Sequence, residues 1–398
     1  MSTSQIGILL IKLVIIILAA RLFGYLAEKI KQPVVLGELI AGVLLGPSLF
    51  NILHEGDPVL DFLSAIGVII LLFIIGLESN IYQLLKVGRA SFLVACIGVI
   101  VPFVLGYFYF IFNGYPVAVA MLVGGTLTAT SVGITTRVLS ELGKTNSEEG
   151  RIILGAAVID DVIGLIVLAV VVGIVVAGHV SLFDVFKLSS YSILFLAGSI
   201  YLGIKFVPAI YKIVHKLELE KTFVISAFVF ALVLAVIANW IGLATIVGSF
   251  AAGLILERTE HKENFQQKMK PVADLFVPIF FVMAGAVMNV HTLLDVKILL
   301  PILILTVIAI IGKIVAGMGA YGTKANKFQI GLGMIPRGEV GLIFAAYGLT
   351  YEIVSNELYS VLVIVIMITT FITPPLLVKY MKKGKQEERK GISDVSEM

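Results

Sequence analysis

Along most of the chain apolar residues run unbroken for roughly 20 positions at a time, and the charged residues gather in short clusters between the runs. Neither the 3.6-residue stripe of a soluble helix nor the two-residue alternation of a half-buried strand accounts for this. A bilayer core about 30 Å thick is crossed by a helix of about 20 apolar residues. The pattern therefore predicts an all-α polytopic membrane protein with about thirteen spans. They fall at roughly 6–27, 33–48, 59–77, 88–112, 116–140, 149–177, 185–213, 221–240, 243–257, 271–289, 297–320, 327–349 and 356–380.

Composition agrees with that pattern. Of 398 residues, 59% are hydrophobic and 14% charged, against roughly 45–50% and 25% in soluble domains. This excludes an ordinary soluble enzyme, and the continuous runs exclude a β-barrel, whose strands alternate over about 10 residues. The net charge of +3 gives no reason to expect a nucleic-acid partner. Cys96 stands alone, so no internal disulfide or cysteine-based metal cluster is expected. The first span contains Lys12 and is followed by EKIKQP without a cleavage pattern, so it reads as a retained helix and not a signal peptide.

Lysine and arginine set the orientation. One set of loops, with the tail, carries 21 of them: Lys29, Lys31, Lys86, Arg89, Lys144, Arg151, Lys212, Lys216, Lys221, Arg258, Lys262, Lys268, Lys270, Lys324, Lys327 and six from Lys379 to Lys390. The alternate set carries only Lys187 and Lys297. Positive loops stay in the cytoplasm, which puts the amino terminus outside and the carboxyl terminus inside a cytoplasmic membrane. The charged tail, 381–398, reads as a frayed, solvated end.

Charges inside spans need a reason, because each costs a few kcal/mol at the bilayer centre. Asp160 and Asp161 stand together in IILGAAVIDDVIGL, about ten residues from Arg151 and so near the midplane. Neighbouring helical residues point about 100° apart, so one carboxylate can face a cavity while the other faces another helix. Lys313, deep in the eleventh span, is the expected ion-pair partner of one of them. Lys12, Arg21 and Lys205 lie close enough to helix ends to snorkel.

Two other spans are interrupted. In VGGTLTATSVGITTRVL, glycines and the hydroxyls of Thr128, Thr130 and Ser131 crowd the centre of the fifth span; in IGLGMIPRGEVGL, Pro336, Arg337, Gly338 and Glu339 break the twelfth. Unwound backbone at membrane depth survives only where protein or a wet cavity satisfies it. The breaks lie seven spans apart, an odd number, so spans 4 to 6 and 11 to 13 would be related by inverted topology. Matched broken helices in two halves are the sequence pointer to a transporter's binding site. Glu38 and Glu78 fall near cytoplasmic helix ends, where capping or interfacial hydration accounts for them as well as a funnel for cations does. No histidine falls at a span centre, and Trp240 sits at the expected outer interface.

The segments PVVLGELIAGVLLGPS, FIIGLE, GTLTATSVGI, VIDDVIGL, GSFAAGLIL and VPIFFVMAG resemble the bacterial monovalent cation:proton antiporter 2 family, over roughly residues 6 to 380. The resemblance implies a thirteen-helix inverted-repeat fold with two crossing discontinuous helices, forming a homodimer. Scaffold spans would cover about 6–77 and 221–289, core spans about 88–177 and 297–380, and a linker span about 185–213. It further implies that Asp161 carries the ion or proton, that Asp160 pairs with Lys313, and that Thr130 and Glu339 serve the site or its support. Arg337, Thr128 and Ser131 belong to the same supporting set. The family's potassium-efflux members usually carry a cytoplasmic nucleotide-binding domain, for which this sequence shows no segment. The PRGE motif resembles that of a sister family of electroneutral exchangers.

The expected function is antiport of cytoplasmic Na⁺ or Li⁺ for external H⁺, electrogenic and serving pH homeostasis, with no cofactor besides the transported ions. K⁺/H⁺ antiport and electroneutral Na⁺/H⁺ exchange are the alternatives. A cation channel would need a symmetric ring of carbonyls or carboxylates. An intramembrane aspartyl protease would need its two carboxylates on separate helices, so no enzyme is expected.

Overall fold

A computed structural model describes residues 3–30, 32–54, 57–78, 88–177, 223–241, 243–257, 262–288 and 296–396, with scattered positions between 183 and 205. The described residues form helices and no strands. In chain order these are α1 (Thr3–Lys29), α2 (Val34–Leu45), α3 (Pro58–Glu78), α4 (Arg89–Phe112), α5 (Val117–Thr126), α6 (Val132–Glu141) and α7 (Glu148–Ala177). They continue with α8 (Phe223–Trp240), α9 (Thr245–Leu256), α10 (Lys262–Ala286), α11 (Val296–Ala316), α12 (Lys327–Gly333), α13 (Glu339–Thr350) and α14 (Asn356–Ser396). A 3₁₀ turn, Gly317–Ala320, closes α11. Among the described residues seven helices are long and apolar enough to cross a bilayer, and shorter apolar helices accompany them. The chain is thus a multi-pass, all-α membrane protein. The expected span at 185–213 lies mostly outside the described residues.

Proline and glycine set several boundaries. Pro33 and Pro116 precede α2 and α5, and Pro58 opens α3, positions where the missing N–H has no helical partner to lose. Gly114, at φ +79°, turns the chain just past α4 in a left-handed conformation that a side chain would strain. Two boundaries depart from the hydropathy pattern. α10 starts at Lys262 and α14 runs on to Ser396, because the charged stretches there consist largely of Lys, Glu, Gln and Arg, which are good helix formers. The tail is therefore helical where fraying was expected.

The chain divides into two compact units. The first comprises residues 1–82, 165–295 and 346–360. In it α2 packs against α1 and α10, while α3 packs against α9 and α10. Ile70, Phe73, Ala252 and Met269 lie at one apolar centre, and Ile16, Leu45, Ile279 and Val282 at another. At the edge of this unit the Lys12 ammonium pairs with Asp57 at 3.1 Å. Arg21 donates to the carbonyl of Asp274 at 3.0 Å. Glu38 lies near the start of α2 as expected, but Pro33 takes the cap position and Glu38 is 6% exposed, so neither capping nor interfacial hydration accounts for it.

The second unit comprises residues 83–164, 296–345 and 361–398. Here α4 packs against α5 and α11, and the 3₁₀ turn sits against α4 and α12. Val94, Leu139, Ile153, Ala156, Ile330 and Leu377 belong to its apolar centre.

Candidate functional site

In the second unit α7 carries Asp160 and Asp161, 1% and 8% exposed. The α11 residue Lys313, fully buried, donates through Nζ to both carboxylate oxygens of Asp160, at 3.2 and 3.3 Å. Gly98 of α4 lies beside that side chain, where a Cβ would stand in ordinary van der Waals contact, 3.5 Å from Nζ and 3.7 Å from Cδ. A buried ammonium and carboxylate are tolerated together because each removes the other's uncompensated charge. Asp161, the next residue, points about 100° away around the helix.

The two interruptions cross in the same unit. α5 ends at Thr126 and α6 begins at Val132; α12 ends at Gly333 and α13 begins at Glu339. The amide of Ser131 donates to Pro336 O at 2.8 Å. The hydroxyl of Thr130 donates to Met334 O at 3.3 Å and that of Thr135 to Gly333 O at 2.7 Å. Thr128 instead turns back and donates to Gly125 O at 2.7 Å, at the end of α5. Close approach requires small residues here. A Cβ on Gly338 would lie 2.8 Å from Ser131 Oγ, and one on Gly125 would lie 2.4 Å from the Phe344 ring.

Arg337 binds the crossing from inside. Its fully buried guanidinium donates to Leu127 O from Nε at 3.1 Å and Nη2 at 2.6 Å, to Ile335 O at 3.0 Å and to Ala309 O at 3.1 Å. Leu127 caps the carboxyl end of α5, where orphan carbonyls give a partial negative charge. A permanent cation is the natural complement. The site thus has two buried carboxylates, two buried cations and the ends of two broken helices within one unit. Glu339 opens α13, but its side chain lies outside the described residues.

Several participants carry no sequence signal of their own. Thr135 and the Ala309 carbonyl enter through contacts. Among the described residues no three His, Cys, Asp or Glu side chains cluster as a multivalent metal site would require. Oxygen donors of the kind that suit a monovalent cation are present in Asp161, Thr130 and the unwound backbone.

A multi-pass helical protein with crossed broken helices around buried carboxylates is a secondary transporter in its architecture. The family profile described as "Sodium/hydrogen exchanger, transmembrane" matches residues 14–383, and the chain belongs to that family. It is 37% identical to a protein named high-affinity Na⁺/H⁺ antiporter NhaS3 of Synechocystis sp., over 95% of this chain and 91% of the relative. It is 33% identical to a Na⁺/H⁺ antiporter of Enterococcus hirae, over 93% of this chain and 97% of that one. The structure of the sodium proton antiporter MjNhaP1 from Methanocaldococcus jannaschii at pH 8 superposes with a TM-score of 0.71. The two share 20% identity, with 93% of this chain and 96% of that chain covered. That likeness shows the antiporter fold.

Proposed function

We propose that the chain is a Na⁺/H⁺ antiporter that moves Na⁺ out of the cytoplasm in exchange for external H⁺, electrogenically, with Asp161 as the carrier. The observation that carries this reading is the Lys313–Asp160 ion pair beside a second buried carboxylate. The relatives described above, which bear the name Na⁺/H⁺ antiporter, support Na⁺ as the cation.

The chemistry follows from one carboxylate with two exclusive occupants. Asp161 is shielded from water, so leaving it ionised without a counter-charge is costly, and either a proton or a cation relieves that cost. Binding both at once is excluded by charge. Release of one therefore accompanies capture of the other, which is coupling without a leak. Thr130 and Ser131 hold the crossing of the broken helices and so fix the walls of the site. Arg337 supplies a buried positive charge beside the crossing, while the Lys313 ammonium, released from Asp160 in one state, supplies a second exchangeable proton. Two protons entering per Na⁺ leaving moves one net charge inward.

The protein sits in the inner membrane with its amino terminus outside and its carboxyl terminus in the cytoplasm. It works as a homodimer built on the helices of the first unit, while the second unit carries the ion. A charge moved through 100 mV is worth about 2.3 kcal/mol, which at about 1.4 kcal/mol per tenfold sustains a roughly 40-fold Na⁺ gradient without a pH gradient.

The test uses purified protein in Na⁺-loaded proteoliposomes under a K⁺-diffusion potential, negative inside, with a luminal pH dye. Na⁺ exit should accelerate and the lumen should acidify. A rate that ignores voltage would mean one-for-one exchange, as the PRGE motif of the sister family suggests. Offering Li⁺ and K⁺ in turn decides the cation, and a channel would dissipate either gradient without the other.

A further inference from the structure

Five consecutive carbonyl groups, from Gly333 at the last position of α12 to Arg337 before α13, have no partner in the helical ladder. At membrane depth each needs another donor. Thr135 supplies one to Gly333, Thr130 to Met334, the Arg337 side chain to Ile335 and the Ser131 amide to Pro336. Three of these donors come from the other broken span and one from the segment itself. The fifth carbonyl, that of Arg337, is taken from elsewhere: the hydroxyl of Thr370 in α14 donates to it.

Thr370 behaves unlike its neighbours. Thr369 and Thr373 are buried and donate back to carbonyls of their own helix, Val365, Ile366 and Thr369, which is the ordinary behaviour of a threonine inside a helix. Thr370, 3% exposed, reaches across to the unwound segment instead. One turn on, Pro374 and Pro375 have no N–H to offer the carbonyls of Thr370 and Phe371. The ladder of α14 is therefore loosened at the turn that bears this hydroxyl.

We infer that Thr370 is a positioning residue for the ion site, anchoring the backbone of Arg337 to α14 while the Arg337 guanidinium holds Leu127 at the end of α5. This rests on the antiport reading above. A guanidinium whose backbone is untethered moves relative to the crossing it caps, and its field at the carboxylates changes with it. Losing the anchor therefore alters cation affinity and pH dependence together, whereas a merely structural threonine would alter only the yield of folded protein.

Thr370→Val keeps the shape and removes the hydroxyl; Thr370→Ser keeps the hydroxyl. In proteoliposomes Thr370→Val should raise the KM for Na⁺ by roughly tenfold and displace the pH of half-maximal flux, with a smaller change in kcat. Thr370→Ser should stay within about twofold of the unmodified protein. Amide hydrogen exchange over residues 338–342 should quicken in the valine variant and not in the serine variant. If the valine variant does not fold, Thr370→Ala against Thr370→Ser gives the same comparison. An unchanged KM, pH profile and amide exchange in Thr370→Val overturns the inference, as does a serine variant as impaired as the valine one. An unmodified protein without Na⁺-coupled proton movement defeats the antiport reading, and the inferred role at the ion site with it. Amide exchange then still reports separately whether Thr370 anchors the segment.

Discussion

In the first unit helices meet backbone to backbone. A Cβ on Gly42 would stand 2.0 Å from Val282 O, one on Gly46 2.3 Å from Ala286 O, and one on Gly76 2.3 Å from Phe250 O, with Gly285 and Gly253 answering from the opposite helices. In the second unit the buried side chains include Thr126, Thr128, Thr130, Ser131, Thr135, Asp160, Asp161, Lys313, Arg337 and Thr370. Lipid offers no hydrophobic drive for helices to associate, so they hold by close van der Waals fit or by hydrogen bonds. The first unit relies on fit; the second has glycine seams too, a Cβ on Gly317 standing 1.9 Å from Lys327 O and one on Gly331 2.5 Å from Ile314 O, and adds polar pairing that a change of charge state can rearrange. A surface fixed by glycine has one arrangement, whereas a network of titratable and ionic groups has several.

The sharpest way to break this contrast is Asp161→Asn. An amide cannot exchange a proton for a cation, so coupled flux should be abolished while a detergent-solubilised melt shows folded protein. Wild-type-like exchange by this variant would remove Asp161 from the site. Next in size is Lys313→Ala, which strands the Asp160 charge and should cost roughly 3–5 kcal/mol of stability. Adding Asp160→Asn should recover much of that loss in the same melt; a double variant no more stable than the single one would mean the two residues are not energetic partners.

Gly42→Val probes the other mode. The added methyls collide with backbone that cannot yield, at a cost of about 1–3 kcal/mol. The protein that remains folded should keep its KM for Na⁺ and its pH profile, since no charge has moved. A shifted pH profile would show that the first unit takes part in the ion chemistry.

The smallest effect concerns Asp57, which lies outside the spans. Burial by itself would raise its carboxyl, but the Lys12 ammonium and the amides of Leu60 and Val59 outweigh that and hold it below the usual carboxylate range. Such a depressed acid adds stability that is complete above the ordinary carboxylate range and is lost as pH falls through the depressed value. The contribution is at most about 1 kcal/mol, as for other partly exposed pairs. Asp57→Asn should therefore lower the melting temperature slightly at neutral pH and not at all in strong acid; an equal loss at both pH values would rule out the charge as its cause.

Much of the second unit was legible because its key residues violate the apolar pattern around them. Asp160, Asp161, Lys313 and Arg337 are expensive in a bilayer, so their presence already implies partners, and the structure pairs Lys313 with Asp160. A threonine in an otherwise apolar helix carries no such signal. Its hydroxyl is satisfied by its own helix by default, as at Thr369 and Thr373, and nothing in the string of letters marks Thr370 as the one that reaches elsewhere. The burial of Glu38 was missed for a related reason. Hydropathy locates it near the start of a span, but only the packing of α1 and α10 against α2 shows that it is covered. The glycine seams are equally silent, because a glycine in an apolar run reads as tolerated spacing until the opposing carbonyl is known.

Channels that select ions with backbone oxygens leave those oxygens bare, so that the pore wall replaces the water an ion sheds. From Gly333 to Arg337 every carbonyl already has a donor. In this stretch an arriving ion meets no bare cage of peptide oxygens, so side-chain oxygen takes a larger share of its dehydration. Under the antiport reading that oxygen belongs to the carboxylate that also takes the proton. The group that strips water from the cation is then the group that protonation neutralises, so the grip on a bare ion fails when the proton arrives. Tight fastening of a broken helix thus makes the ion's dehydration reversible by acid.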